Sequence, residues 1–321
     1  MTHSRTPRAL TLGSINQDIR VHVSEFPKPG ETVLATSGGT ALGGKGANQA
    51  ASAALLGADV VMIGAVGNDG AGHDATQQLN QLGIATSHIG QVDETTGLAV
   101  ITVDSTGENT IAVLPGANTR ISAGDVEQHL DQLLTNEDET FSIAWSQGEV
   151  PPEAILAFSD RCRIHNIRFV LNLAPFVPVA TEVLEAADPL IVNETEARAL
   201  LESVGLDTKI DDPQSAANAA HVIATRVARS AIITRGSLGA TISDGTRTWH
   251  EPITSKPDVV DTSGAGDAFV GAVIAALARG ETLVEAGRDG VRAGTYAVAR
   301  SGTIDSYPTS SEALAAAAVH A

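Results

Sequence analysis

Apolar residues near the N-terminus fall into short runs of changing character. Ala9–Leu12 is apolar and stopped by Gly13, which predicts the first strand of a buried sheet. From Ile19 to Val23 polar and apolar positions alternate, Phe26-Pro27-Lys28-Pro29-Gly30 makes a rigid turn, and Glu31–Thr36 reads as extended again. Such half-exposed alternation suits an inserted β-flap better than the main sheet. Ala47–Leu56 predicts a helix of small residues with Gly57 as its stop. Asp59–Val66 is almost continuously apolar, as in a strand covered on both faces. Gly72–Leu82 predicts a helix ended by Gly83. Thr96–Val103 and Asn109–Leu114 predict two further flap strands joined by a hairpin at 104–108.

Beyond Ser122 the pattern repeats. Helices are expected at Ser122–Leu134, Pro152–Arg163, Val179–Ala186 and Glu194–Leu201, with strands between them at Ser142–Trp145, Phe169–Asn172 and Leu190–Asn193. Strands alternating with helices of this length mean βαβ units and a parallel sheet. There follow a helix at Asp211–Val227, a strand at Ala231–Thr234, and a hairpin of Ala240–Ser243 with Arg247–His250. An extended, β-branched segment, Pro257–Val260, then turns on Gly264 and Gly266 into an apolar helix from Ala268 to Leu277. A helix near Leu283–Val298 and an Ala-rich helix from Ser311 complete the chain. The expected fold is α/β: one three-layer αβα domain over 1–321 with a mainly parallel, Rossmann-like central sheet, and lid strands inserted at about 17–40 and 96–114.

Composition narrows the function. The 321 residues are 43% hydrophobic and 18% charged, an ordinary globular balance. A formal net charge of −18 argues against nucleic acid or anionic membrane as a partner, and 3% aromatic residues leave little for base stacking. The single cysteine excludes an intramolecular disulfide and suits a reducing cytoplasm. Met1–Arg8 is polar with no apolar stretch after it, and no run is long enough to span a membrane, so a cytoplasmic protein is expected.

Candidate chemistry gathers at glycine-rich corners. Gly264-Ala265-Gly266 at a helix start bares backbone N–H groups where the helix dipole is positive, and can receive an anion. Asp267 in the first turn is either a dipole partner or a base that takes a proton from a hydroxyl beside that cradle. Gly43-Gly44-Lys45-Gly46-Ala47-Asn48 is a tight turn before a helix or a ligand loop. It nearly completes a Walker A spacing from Gly39, but Gly46 stands where Ser or Thr would hold Mg²⁺. Asn16 and Asp18 follow the first strand's C-terminal end, where α/β sheets collect ligands; they serve turn chemistry or clamp a diol. Asn193 and Glu196 have capping-box spacing. Thr234-Arg235-Gly236-Ser237-Leu238-Gly239 has ordinary loop composition after a strand. No histidine spacing supports structural zinc, no nucleophile elbow is present, and no Gly-x-Gly-x-x-Gly follows the first strand.

Taken in order, Gly13–Asp18, Gly43–Asn48, Asn193–Glu196 and Asp261–Gly271 resemble the four motifs of the ribokinase-like (phosphofructokinase-B type) sugar kinases, over about Ala9 to Ser306. The resemblance implies ATP-dependent phosphorylation of D-ribose at its primary hydroxyl. Asp267 would be the base, and Gly264, Ala265 and Gly266 the anion hole. Asn16, Asp18, Gly44, Lys45, Asn48 and Glu149 would bind the sugar. Asn193, Thr234, Gly236, Ser237, Gly239 and Gly266 would meet the nucleotide, with Asn193 and Glu196 organising Mg²⁺, largely through water. Asp261, Ser263, Ala297, Arg300, Gly302 and Ser306 match a monovalent-cation (K⁺) site, although Ile304-Asp305 stands where the family commonly has Gln-Pro. A homodimer through the lid is implied as well. The alternatives are a kinase for another pentose or a nucleoside, and a sugar- or nucleotide-binding homologue without catalysis.

Overall fold

The computed structural model describes residues 8–135, 140–206, 209–254, 257–310 and 314. In chain order the strands are β1 (Arg8–Leu12), β2 (Asn16–His22), β3 (Ser37–Gly43), β4 (Asp59–Gly67), β5 (Ala85–Val92), β6 (Gly97–Val103), β7 (Asn109–Leu114), β8 (Phe141–Gln147), β9 (Arg168–Asn172), β10 (Ala187–Asn193), β11 (Ala231–Thr234), β12 (Ala240–Ser243) and β13 (Thr248–Glu251). The helices are α1 (Lys45–Leu55), α2 (Gly70–Gln81), α3 (Ala123–Leu134), α4 (Pro152–Ile164), α5 (Thr181–Ala186), α6 (Glu194–Ser203), α7 (Pro213–Arg226), α8 (Ala265–Ala278) and α9 (Leu283–Val298). Among the described residues no helix is long and apolar enough to cross a membrane.

Nine strands form the central sheet in the order β13-β12-β11-β10-β9-β8-β1-β4-β5, parallel from β11 to β5 and antiparallel at β12 and β13. The buried strands are apolar on both sides, as a sheet covered on both faces requires. One face carries residues of α3, α4, α6 and α7 (Val126, Phe158, Leu200, Ile223), and the other those of α1, α2, α8 and α9 (Ala50, Leu79, Val273, Val291). The expected αβα layering is what forms. From β1 the chain moves to β4 on one side and later to β8 on the other. The crevice at their C-terminal ends is therefore a topological switch point, the place where open α/β sheets bind ligands.

A second sheet of four strands, β3-β2-β6-β7, stands apart from the first. Strand β2 pairs β6 in parallel with Asp18 opposite Ala99 and Arg20 opposite Ile101, so Asn16, Asp18 and Arg20 share one face. Three local expectations differ. Glu31–Thr36 is not a strand; the partner of β2 is Ser37–Gly43, where small residues let the backbone pair closely. Strand β5 was not expected, because Ser87, His88, Gly90 and Gln91 break its apolar pattern at the sheet edge. Pro257–Val260 is irregular, with Val259 and Val260 exposed and Val260 N bonded to Val298 O at 2.8 Å. The helix expected from Ser311 lies outside the described residues except for buried Leu314.

Candidate active site

Glycines decide how closely the site's elements approach. A Cβ on Gly46 would lie 2.4 Å from Ser14 N, and one on Gly44 (φ 86°) 2.9 Å from Asn16 N. Only glycine lets α1 start against the end of β1. That approach lets Ser14 Oγ donate to Glu149 Oε2 at 2.6 Å, while the same oxygen accepts from Lys45 N at 3.0 Å. Glu149 thus sits on the positive end of α1, a favourable place for a carboxylate. A Cβ on Gly43 would fall 2.0 Å from Asp18 Oδ1, so the absent side chain makes room for Asp18.

Asp267 lies in the first turn of α8 and is 7% exposed. Gly264 opens that helix in the left-handed region (φ 72°) with no side-chain cap, so the first-turn N–H groups have no intrahelical partner. Above Gly266 the space is open. Both oxygens of Asp267 are fixed: Asn48 Nδ2 donates to Oδ2 at 3.1 Å and Gln49 Nε2 to Oδ1 at 3.0 Å. Gln49 Nε2 also reaches Asn172 Oδ1 at 2.8 Å, tying α1, β9 and α8 together. Two donors and no acceptor suit an ionised carboxylate, the form a general base needs.

Facing this turn, Asn16 Oδ1 accepts from Asn118 Nδ2 at 2.8 Å, and Asn118 Oδ1 accepts from Ile15 N at 2.9 Å. Burial, then the charges of Glu149 and Asp267, push Asp18 up to about 6, against the pull of Arg20 and Lys45. Lys45 is held above its usual value by Asp267 first; burial opposes this, and Glu149, Glu196 and Asp18 add to it. Lys45 thus sits among four carboxylates, Asp267, Glu149, Glu196 and Asp18, the last also under the charge of Arg20. A cavity of about 490 Å³ has Asp18 and Arg20 in its wall, with Leu42, Ile101 and the loop 301–305; Asp267 does not line it.

On the nucleotide side expected from the sequence, Asn193 and Thr234 are paired at the ends of β10 and β11. Asn193 and Glu196 form the capping box: Asn193 Oδ1 accepts from Glu196 N and Glu196 Oε2 accepts from Asn193 N, both at 2.8 Å. Burial raises the Glu196 pKa most, the Asn193 amide and Lys45 lower it, and Asp267 raises it, the net effect being upward. Gly236 (φ 52°) and Ser237 are exposed, whereas a Cβ on Gly239 would strike Glu251 O at 2.1 Å. Between them, buried Arg235 donates from Nε to Glu194 Oε1 at 2.9 Å, and its Nη1 has no hydrogen-bond partner among the described residues.

The last group surrounds the turn before α8. Asp261 Oδ1 accepts from Ser263 N at 2.9 Å, and its Oδ2 accepts from Gly302 N at 3.2 Å and Arg20 Nη1 at 2.5 Å. Ala297 O accepts from Arg300 N at 3.0 Å, and Ser306 Oγ donates to Thr303 O at 2.6 Å. A Cβ on Gly264 would lie 2.5 Å from Thr303 Cγ2 and 2.7 Å from Tyr307 Oη. That hydroxyl is buried without a hydrogen-bond partner among the described residues. Gln49, Asn118, Asn172, Arg20, Arg235 and Tyr307 were not singled out from sequence. For Arg20 a signal existed, its i+2 spacing from Asp18 on an alternating strand.

Known proteins resemble this chain over most of its length. The family model described as pfkB family carbohydrate kinase matches residues 6–310. The ribokinase of Haemophilus influenzae is 35% identical over 94% of this chain and 96% of its own, and that of Bacillus subtilis 34% over the same shares. Among solved structures, Arabidopsis thaliana ribokinase complexed with ribose and ATP superposes with a TM-score of 0.85 at 27% identity, covering 98% of this chain and 100% of that one. With the glycine corner at α8, the aspartate fixed beside it and the separate small sheet, these matches place the chain in the pfkB family of carbohydrate kinases.

Proposed function

We propose that this protein transfers the γ-phosphoryl group of ATP to the primary hydroxyl of D-ribose. The observation that carries the reading is Asp267, fixed through both oxygens by amide donors, at the uncapped positive end of α8. A carboxylate there takes the hydroxyl proton while the Gly264–Asp267 amides steady the negative charge of the moving phosphoryl group. The ribokinase relatives and the neighbour bound to ribose and ATP support the same reaction here.

Asn16, Asp18, Gly44, Lys45, Asn48 and Glu149 are assigned to the sugar. Asp18 accepts from two adjacent hydroxyls and Lys45 offsets the charge of the surrounding acids. Thr234, Gly236, Ser237 and Gly239 are assigned to the nucleotide, with Asn193 and Gly266. Among the described residues no group of three or more His, Cys, Asp or Glu could hold a metal. Glu196 keeps one carboxylate oxygen outside its capping box, which fits an ion that retains most of its waters. Glu196 would hold Mg²⁺ through water, and the ion would neutralise nucleotide oxygens.

The four-stranded sheet would act as a lid that excludes water, so that ATP is not hydrolysed idly, with 1–321 working as one catalytic unit. Its edge strand β7 is exposed throughout, with Ile111 at 58%, Val113 at 52% and Leu114 at 55%, which supports a homodimer through the lid. An ADP-release assay across pentoses, hexoses and nucleosides tests the proposal. ATP turnover that depends on D-ribose is expected; turnover indifferent to every acceptor, or faster with a nucleoside, would overturn it.

A further inference from the structure

The carboxylate ahead of the anion-binding turn already has a cation, and it comes from the small sheet. Arg20 Nη1 meets Asp261 Oδ2 at 2.5 Å, with the two side chains only 21% and 15% exposed. The amides of Ser263 and Gly302 donate to the same carboxylate, at Oδ1 and Oδ2. Burial alone would raise the Asp261 pKa, but bonds from Arg20 and Ser263 outweigh it and hold the group below its usual range. A monovalent ion on Asp261 needs acceptor oxygens turned toward it and an unanswered negative charge. Here two amide donors and a guanidinium surround the carboxylate. Ala297 O and Thr303 O meanwhile accept from Arg300 N and Ser306 Oγ. At Asp261 this surrounding does not fit such an ion.

We infer that Arg20 is a positioning residue that supplies, from the lid, the fixed positive charge steadying the 261–264 turn in place of a monovalent cation. The geometry ties it to the acceptor end of the site. Arg20 lies two residues beyond Asp18 on the same face of β2, so the strand that carries Asp18 also holds the guanidinium on Asp261. Gly264 abuts Thr303 and Tyr307, and Gly302 N shares Asp261 Oδ2 with Arg20, so the loop 301–307 and the lid both hold the turn. The effect on turnover rests on the kinase reading; the effect on the fold does not.

The test compares the wild type and Arg20→Ala in potassium, sodium and tetramethylammonium chloride at equal ionic strength, with guanidinium chloride added at low millimolar concentration in a second series. Thermal midpoints and the separate kcat and KM values for ribose and ATP are measured. The wild type should show the same midpoint, and kcat equal within about twofold, in all three salts. Arg20→Ala should lose about tenfold or more in kcat. It should regain midpoint and turnover with guanidinium and not with potassium, sodium or tetramethylammonium. A wild type stabilised or activated specifically by potassium would overturn the inference, and so would an Arg20→Ala protein indistinguishable from wild type in every salt. If the wild type phosphorylates no sugar, the kinase reading falls, while the midpoints of the two proteins across the salts still decide the role of Arg20.

Discussion

Two amides from consecutive residues, Asn48 and Gln49, hold the two oxygens of Asp267. Asp267→Asn keeps the shape and removes proton acceptance. Turnover should fall by about a hundredfold or more while sugar binding, read by calorimetry, survives. Asp18 gives a pH signature. Its pKa is raised from 3.8 to about 6, so the empty folded state holds the proton more tightly than the unfolded chain. Stability of the sugar-free protein should therefore fall as pH rises from about 4 to about 6, and Asp18→Asn should flatten that slope in thermal scans. Sugar binding should have the opposite sense, since in the proposed contact the ionised carboxylate accepts two hydroxyls. KM for ribose should rise as pH drops below about 6 with a smaller change in kcat. Lys45 and Asn48 are legible in the sequence because they stand in a glycine-rich motif. Gln49 is not, since a glutamine in an Ala-rich helix means nothing until α8 is packed against it.

At the scale of elements, α1 and α8 cross with almost no side chain between them. Ser52 Oγ donates to Ala268 O at 3.1 Å, and a Cβ on Gly271 would lie 2.3 Å from Ser52 Cβ. Gly271→Ala must push the helices apart, at a cost of about 1–3 kcal/mol, and should lower the melting temperature by several degrees. Because α1 carries Asn48 and Gln49, the same variant should lose more kcat than its stability loss alone would produce. The parallel strands and their helices were readable because continuous apolar runs alternate with periodic segments. Helix α9 has the expected limits, Leu283–Val298, opened by a capping box of Thr282 and Glu285. What escaped was pairing without pattern. Strand β5 is edge-exposed and polar, and β3 is held by its hydrogen bonds to β2 through glycines and small residues. Neither is decided by hydrophobic periodicity.

For the whole molecule, the division into two sheets matters most. If the exposed apolar edge of the small sheet joins two copies, Ile111→Glu with Val113→Glu should convert a dimer to a monomer in sedimentation, with the core fold intact by circular dichroism. That the chain had a flap was legible from alternation at Ile19–Val23 and from the hairpin signal between Thr96–Val103 and Asn109–Leu114. How the flap meets the core was not, because the Arg20–Asp261 pair joins residues far apart in sequence. The chain passes between the sheets at short crossings, two of which sit at positive-φ glycines, Gly44 (φ 86°) and Gly116 (φ 52°). Asn16 and Asp18 ride on one side of these crossings and Asp267 on the other. The proposed sugar site is therefore divided, with Asn16 and Asp18 on the small sheet and Lys45, Asn48 and Glu149 on the large unit beside Asp267. Exchanging 16–43 and 97–114 for the corresponding strands of a relative, with Arg20 kept, should shift acceptor preference toward that of the relative and leave KM for ATP unchanged.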